Sequence, residues 1–369
     1  MPSNPQRILV VQPNWVGDAV MATPALRAIR KLYPDSHISY LLRRYVKPIY
    51  SGMPFADKLI TYRTGRTKKK AGKGQFIDLA ARLRARKFDL AILLTNSFRT
   101  ALVCKMAGIK RIVGYDRDGR GFLLSDKLVP YKDRGKFVPT PIVRSYLGVA
   151  QYLGSDARDI RMELFVTESD TRDAGQTLAA AGINPDARRP GAPPMVLLNP
   201  GAQYGAAKCW PPEYFAQLGD RLRAELGATV LISSAPKERA IVDEVLGSMQ
   251  HPAIDLARHG LTLGGLKEIV RRSDLLITND TGPRHIAAAF DVPVITLFGP
   301  THPEWTEIYF DKERKLSVPV PCGPCQLKKC PLDHRCMTRL TPSMVYSTAV
   351  GLLSRRTASI ESADAAAGV

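Results

Sequence analysis

Short runs in which nearly every residue is apolar recur along this chain, each followed by a longer stretch in which apolar residues return at helical spacing. In the first half the runs fall at residues 7–12, 37–42, 58–62, 90–94 and 111–114, with helical stretches near 21–32, 45–51, 76–86 and 98–107. Apolar runs without polar alternation predict strands buried on both faces, and their alternation with helices predicts a parallel sheet covered on both sides. From about residue 129 the alternation lapses until Ala192-Pro193-Pro194, where a second series begins. Its strands are predicted at 195–199, 229–233, 254–256, 275–278 and 294–298, and its helices near 213–226, 238–249, 263–272 and 283–290. The expected fold class is α/β, with two Rossmann-like, doubly wound parallel-sheet domains facing across a cleft. The expected boundaries are 1–165 for the first domain, 166–194 for a linker, 195–358 for the second domain with a Cys-rich segment at 319–340, and 359–369 for a flexible tail.

Ligands of such sheets bind beyond the carboxyl ends of the strands, so the residues just after each run are the candidates for chemistry. Asp18 follows the first run on a Gly-preceded turn; it suits a general base toward a hydroxyl, or equally the N-cap of the next helix. Asn199-Pro200-Gly201-Ala202 ends the first strand of the second series, and Lys208 follows closely, where an ammonium could meet the charge growing on a diphosphate. After the fourth strand of that series comes Thr278-Asn279-Asp280-Thr281-Gly282-Pro283-Arg284-His285. Thr281 and Gly282 are expected at the helix N-cap with Pro283 at the first helical position, a turn whose backbone N–H groups and helix dipole attract anions. Glu238 lies just past the second strand, where an acidic side chain can accept bonds from a ribose diol, although Asp243 and Glu244 are near.

Charge sharpens the picture. Charged residues at 24% and hydrophobic ones at 45% are ordinary for a soluble globular protein. With no apolar run long enough to span a bilayer and no signal peptide, a cytoplasmic location with reduced thiols is expected. The net charge of +19 is uneven: residues 1–180 carry 32 Lys/Arg against 15 Asp/Glu, or +17, which leaves +2 for residues 181–369. An anionic partner for the first half follows. Arg63, Arg66, Lys68, Lys69, Lys70 and Lys73 form an acid-free run suited to an acceptor or membrane contact, or to a solvated charge run.

Four motifs in order, Gln12-Pro13-Asn14-Trp15-Val16-Gly17-Asp18-Ala19-Val20-Met21, Asn199-Pro200-Gly201-Ala202, Asn279-Asp280-Thr281-Gly282-Pro283-Arg284-His285 and Phe298-Gly299-Pro300-Thr301, resemble those of the lipopolysaccharide heptosyltransferases of glycosyltransferase family 9. The likeness is strongest to their heptosyltransferase II branch. It implies a GT-B glycosyltransferase that moves heptose from ADP-heptose to a lipid A-linked inner-core acceptor and inverts the anomeric centre. Asp18 would then be the base, Lys208 with the backbone at Thr281 and Gly282 would hold the diphosphate, Asp280 would position the donor, and His285 would reach the phosphates or pack the helix. No cofactor or divalent metal is required by that mechanism, so Asp116-Arg117-Asp118 is discounted as a metal motif. The implied partners are the donor, the acceptor and the anionic inner-membrane surface, with a peripheral location and a monomeric chain.

Cys322, Cys325, Cys330 and Cys336 stand apart, spaced C-x2-C-x4-C-x5-C with His334 among them. In a reducing compartment such thiols favour a structural metal over disulfides. Alternatives are heptosyltransferase I, another nucleotide-sugar transferase on the same scaffold, or a nucleic-acid-binding protein with a cysteine metal site. The basic run lacks the interleaved aromatics that nucleic acid surfaces use. A dehydrogenase is disfavoured because no G-x-G-x-x-G follows the first strand.

Overall fold

The apolar runs become strands, and those inside the sheets are buried on both faces: Ile8, Leu9, Val10 and Val11 of the first strand have no exposed surface. The computed structural model describes residues 5–62, 74–184 and 192–367. The chain divides into two units, Met1–Phe165 with Glu304–Ile308, and Val166–Pro303 with Tyr309–Val369.

The first unit is built on β1 (Arg7–Val11), β2 (His37–Arg43), β3 (Lys58–Tyr62), β4 (Leu90–Leu93), β5 (Arg111–Tyr115) and β6 (Asp126–Leu128), followed by a two-residue antiparallel hairpin, β7 (Lys132–Asp133) and β8 (Lys136–Phe137). The six strands run parallel in the order β3-β2-β1-β4-β5-β6. The second unit repeats this plan with β9 (Met195–Asn199), β10 (Thr229–Ile232), β11 (Ile254–Asp255), β12 (Leu275–Asn279), β13 (Val294–Phe298) and β14 (Glu313–Ser317), ordered β11-β10-β9-β12-β13-β14 and again all parallel. Leu197 on β9 faces Leu231 on one side and Leu276 on the other. This is the doubly wound order, whose direction of winding reverses beside the central strand.

Three regions differ from the expected pattern. Each sheet has a sixth strand, and both β6 and β14 are edge strands with polar sequences, so no apolar run marks them. The supposed linker 166–194 contains the helix Glu168–Ala180, opened by a capping box between Thr167 and Asp170. That helix packs against Leu263–Arg272 through small side chains, which leave a weak apolar signature. Asp170 also pairs at 2.9 Å with Lys267, whose side chain is wholly buried. The supposed tail at 359–369 is largely helical, since the last helix is Pro342–Ala367.

Candidate active site

In the second unit the winding reverses between β9 and β12, so the loops leaving these neighbouring strands flank one crevice. Two buried asparagines tie the loops together. Asn199, the last residue of β9, donates to the Thr278 and Thr281 hydroxyls, each at 3.3 Å, and accepts from Ser233 Oγ at 3.1 Å. Asn279, the last residue of β12, donates to Pro200 O at 2.8 Å and accepts from the Trp210 backbone N–H at 3.0 Å. Trp210 is itself fixed, fully buried, with Nε1 donating to Leu340 O at 2.7 Å. Lys208 is thereby held two residues from an immobile anchor.

The ammonium of Lys208 donates to the Asp280 backbone oxygen at 2.9 Å and to Asp280 Oδ2 at 2.6 Å. Asp280 also accepts from Arg284 Nη1 at 3.2 Å on Oδ1 and from Thr301 Oγ1 at 3.3 Å on Oδ2. Behind it, Arg284 makes a two-pronged pair with Glu313, Nε to Oε1 at 2.5 Å and Nη2 to Oε2 at 3.0 Å, and Thr296 Oγ1 donates to the same carboxylate at 2.6 Å. Burial pushes the Asp280 carboxyl up, but the Lys208 and Arg284 charges outweigh it and hold the group at about 2. Charges alternate in sign along this chain of contacts, which is how buried ions escape the cost of being left unpaired.

Thr281 is the N-cap of the helix Gly282–Ala289, so Gly282 opens the helix and Pro283 stands second rather than first. The Thr281 side chain does not cap the helix; its hydroxyl faces Asn199 and Thr278. The N-cap side chain therefore leaves the first-turn amides uncapped, and a helix N-terminus of this kind suits an anion. His285 is buried, its Nδ1 has no hydrogen-bond partner, and burial together with the Arg284 charge lowers its pKa to about 3. Its imidazole is therefore neutral here, buried in the helix that Thr281 opens. Glu238 accepts from the Ala235 N–H at 2.9 Å, and burial raises its pKa. A Cβ on Gly201 would run into the Glu238 carboxylate, so a side chain here would displace that carboxylate from beside the loop.

In the first unit Asp18 lies in the first turn of the helix Val16–Met21, beyond the end of β1. The N-cap is Trp15, not Asp18. Burial raises the pKa of the Tyr45, Tyr50 and Tyr146 phenols, and the Asp18 charge adds to each rise, so the carboxylate lies within electrostatic reach of all three. The run Arg63, Arg66, Lys68, Lys69, Lys70 and Lys73 lies outside the described residues. On either side of it in sequence, Arg44, Lys47, Tyr62, Phe76, Asp78 and Arg82 line a cavity of about 620 Å³.

Cys322, Cys325, Cys330 and Cys336 are free thiols that line one small cavity with His334. Among the described residues, no group of three or more His, Cys, Asp or Glu side chains is arranged to hold a metal ion. Cys104 is fully buried and its thiol is pushed up to about 12; Cys209 is half-buried and stands at about 11, in both cases chiefly through burial. Arg284, Thr301 and Glu313 were not among the expected site residues, and neither were the two asparagines in the roles found. Asn199 and Asn279 close apolar strands, a position where a buried amide must have found partners. Arg284 and Glu313 leave no such trace.

Two doubly wound parallel sheets, one in each unit, with a polar crevice at the winding reversal of the second, define a GT-B architecture of two α/β units. The chain belongs to glycosyltransferase family 9 (heptosyltransferase), whose family model matches residues 76–335. It is similar to lipopolysaccharide heptosyltransferase 2 of Salmonella typhimurium, with 28% identity over 94% of this chain and 99% of that one. It is also similar to lipopolysaccharide heptosyltransferase 2 of Escherichia coli K12, with 29% identity over 85% and 88%. Among solved structures, E. coli ADP-heptose LPS heptosyltransferase II superposes with a TM-score of 0.76 and 25% identity, over 95% of this chain and 99% of that one. A family 9 glycosyl transferase from Veillonella parvula gives a TM-score of 0.79 at 22% identity, over 95% and 97%. Among the described residues no helix is long and apolar enough to cross a membrane.

Proposed function

We infer that this glycosyltransferase moves a heptose from ADP-heptose onto the heptosylated inner core of lipopolysaccharide, the heptosyltransferase II reaction. The observation that carries the reading is Lys208, fixed at 2.6 Å from Asp280 beside the N-terminus of the helix Gly282–Ala289 at the winding reversal of the second sheet. Two of its three ammonium donors are engaged by Asp280, which leaves a third for a diphosphate oxygen. The names of the relatives supply the sugar and the nucleotide.

In this reading Asp18 takes the proton of the acceptor hydroxyl as its oxygen attacks the anomeric carbon opposite the diphosphate. The bond from that carbon to the phosphate oxygen breaks, the centre inverts, and ADP leaves carrying the electron pair. Lys208 and the amides at Thr281 and Gly282 stabilise its growing charge electrostatically, so no metal or organic cofactor takes part. Glu238 is assigned to the ribose. The basic run at residues 63–70, with Arg44, Lys47 and Arg82 about the neighbouring cavity, supports a phosphorylated acceptor on an anionic inner-leaflet surface, met from the cytoplasm by a peripheral, monomeric chain. The four clustered cysteines are read as a structural thiolate site that would draw together on a metal; metal analysis of protein purified without oxygen tests this, and an empty reduced site ends it.

The deciding experiment is a transfer assay with ADP-heptose on heptose-free and mono-heptosylated acceptors, with UDP- and GDP-sugars as competitors. Transfer to the mono-heptosylated acceptor alone is expected. Transfer to the heptose-free acceptor would make the enzyme a heptosyltransferase I, and a preference for another nucleotide would overturn the donor assignment.

A further inference from the structure

The Cys-rich segment has so far had no part in the site. Between the end of β14 at Ser317 and the short helix Arg335–Thr338 no residue is in a helix or strand, and most side chains from 321 to 333 are exposed. A stretch with so little core of its own nevertheless makes directed contacts, and they converge on the two loops that carry the candidate diphosphate site.

Ala207, next to Lys208, is gripped on both peptide faces. Its N–H donates to Lys328 O at 3.1 Å, and its carbonyl lies 2.8 Å from His334 Nε2. A carbonyl only accepts, so this nitrogen carries the proton. Tyr204 Oη donates to Gln326 O at 2.6 Å, and a Cβ on Gly205 would run into Lys328 O, so this loop is pressed against the segment. On the other side, Gln326 N–H donates to Pro300 O at 2.8 Å, one residue before the Thr301 that bonds Asp280. A Cβ on Gly299 would meet Met337 Sδ, and would stand 3.4 Å from Cys336 Sγ. The same segment thus fixes the loop bearing Lys208 and the loop bearing Thr301, the two donors that meet Asp280 Oδ2.

We propose that the cysteine-bearing segment is a brace that positions Lys208, with His334 as its positioning residue, and that chemistry at its thiols is read out as affinity for the donor diphosphate. This rests on Lys208 as a diphosphate ligand. The coupling is steric: the cavity shared by the four cysteines and His334 is about 20 Å³, room for roughly one water molecule. Cys322 and Cys325 are exposed and can be reached by reagents, whereas an adduct turned into the cavity has no space unless the segment shifts. Such a shift carries Lys328 O and His334 away from Ala207.

The test measures ADP affinity by calorimetry on the full chain. Removing one part-buried hydrogen bond, His334→Ala is expected to weaken ADP about three- to tenfold with little change in thermal midpoint, and His334→Gln, which keeps a donor, to recover part of the loss. Iodoacetamide, whose carbon is taken by a cysteine thiolate with loss of iodide, is expected to weaken ADP when peptide mapping shows adducts at Cys322 or Cys325 and none at Cys209. Replacing Cys322 and Cys325 by serine is expected to abolish that sensitivity. Unchanged ADP affinity in both His334→Ala and the mapped adduct, with Lys208→Ala still weakening ADP, overturns the brace. Unchanged affinity in Lys208→Ala overturns the diphosphate reading beneath it.

Discussion

Arg284 and Glu313, 29 residues apart in sequence, form a bidentate ion pair in which the arginine is wholly buried and the carboxylate side chain is 1% exposed. The pair stands behind Asp280 as Lys208 stands in front of it, so the carboxylate that receives Lys208 is itself held by a fixed guanidinium. Breaking such a pair from one side leaves a buried charge unmatched, at a cost of about 3–5 kcal/mol, whereas replacing both ions by apolar groups costs much less. Glu313→Ala should therefore lower unfolding free energy in urea by that order, and Arg284→Met with Glu313→Leu should recover most of it. Equal losses in the single and double variants would show that the pair is not coupled.

Lys208→Ala removes the cation facing the proposed diphosphate and one of the two charges that depress Asp280. ADP binding should weaken about tenfold or more, as for a charge-assisted hydrogen bond worth ~1.5–3 kcal/mol, and the bond-breaking step in which ADP departs should slow, seen as a fall in single-turnover rate. The same substitution should raise the Asp280 pKa. Because that pKa is depressed to about 2 from 3.8, the stability it contributes is present above the upper value and lost as pH falls toward the lower. In the variant, acid unfolding should begin at higher pH, and an unmoved acid limb would separate Lys208 from Asp280.

His285 gives a pH dependence in another window. Its pKa is lowered from 6.5 to about 3, so below pH 6.5 the unfolded chain binds a proton that the folded chain refuses. Stability is thus fully present above pH 6.5 and declines as pH falls toward 3, by up to about 1.4 kcal/mol per pH unit for this single proton. His285→Asn should flatten the slope between pH 6 and 4 in urea titrations. A slope identical to that of the unsubstituted protein would assign the dependence to other groups.

Asp18→Asn keeps the shape of the side chain and removes its basicity. With a general base normally contributing about 10²–10⁴ in rate, kcat should fall by that range while ADP-heptose affinity stays within twofold of the original. Turnover close to the original value would leave Asp18 a first-turn acid that only complements the helix dipole.

Ten of the twelve parallel strands of the two sheets are legible as apolar runs, most plainly the inner strands β1, β4, β9, β12 and β13, which are covered on both faces and so show no polar alternation to confuse them. Glu313-Arg314-Lys315-Leu316-Ser317 is illegible for the opposite reason: an edge strand with one neighbour can keep charged side chains and still pair its backbone. Among the candidate residues, Asp18, Lys208 and Asp280 are singled out by their place after strands, since the fold class dictates where ligands sit. The partners of Asp280 cannot, because whether Arg284 reaches Glu313 depends on the lateral order of β12, β13 and β14. The helix at Glu168–Ala180 escapes notice because it buries Ala174, Thr177 and Leu178 against glycines, where a small surface serves better than an apolar stripe.

Lys208, Asp280, Arg284 and Glu313 sum to zero, and His285 adds nothing at neutral pH. The proposed donor site, wired this way, is close to electroneutral at rest and exerts little pull beyond its own rim. Capture of the anionic nucleotide then depends on short-range fit rather than on steering, so donor affinity should vary weakly with ionic strength. The first unit, with its excess of basic residues, is where salt should be felt, and the enzyme's two substrates would answer to salt in opposite measure.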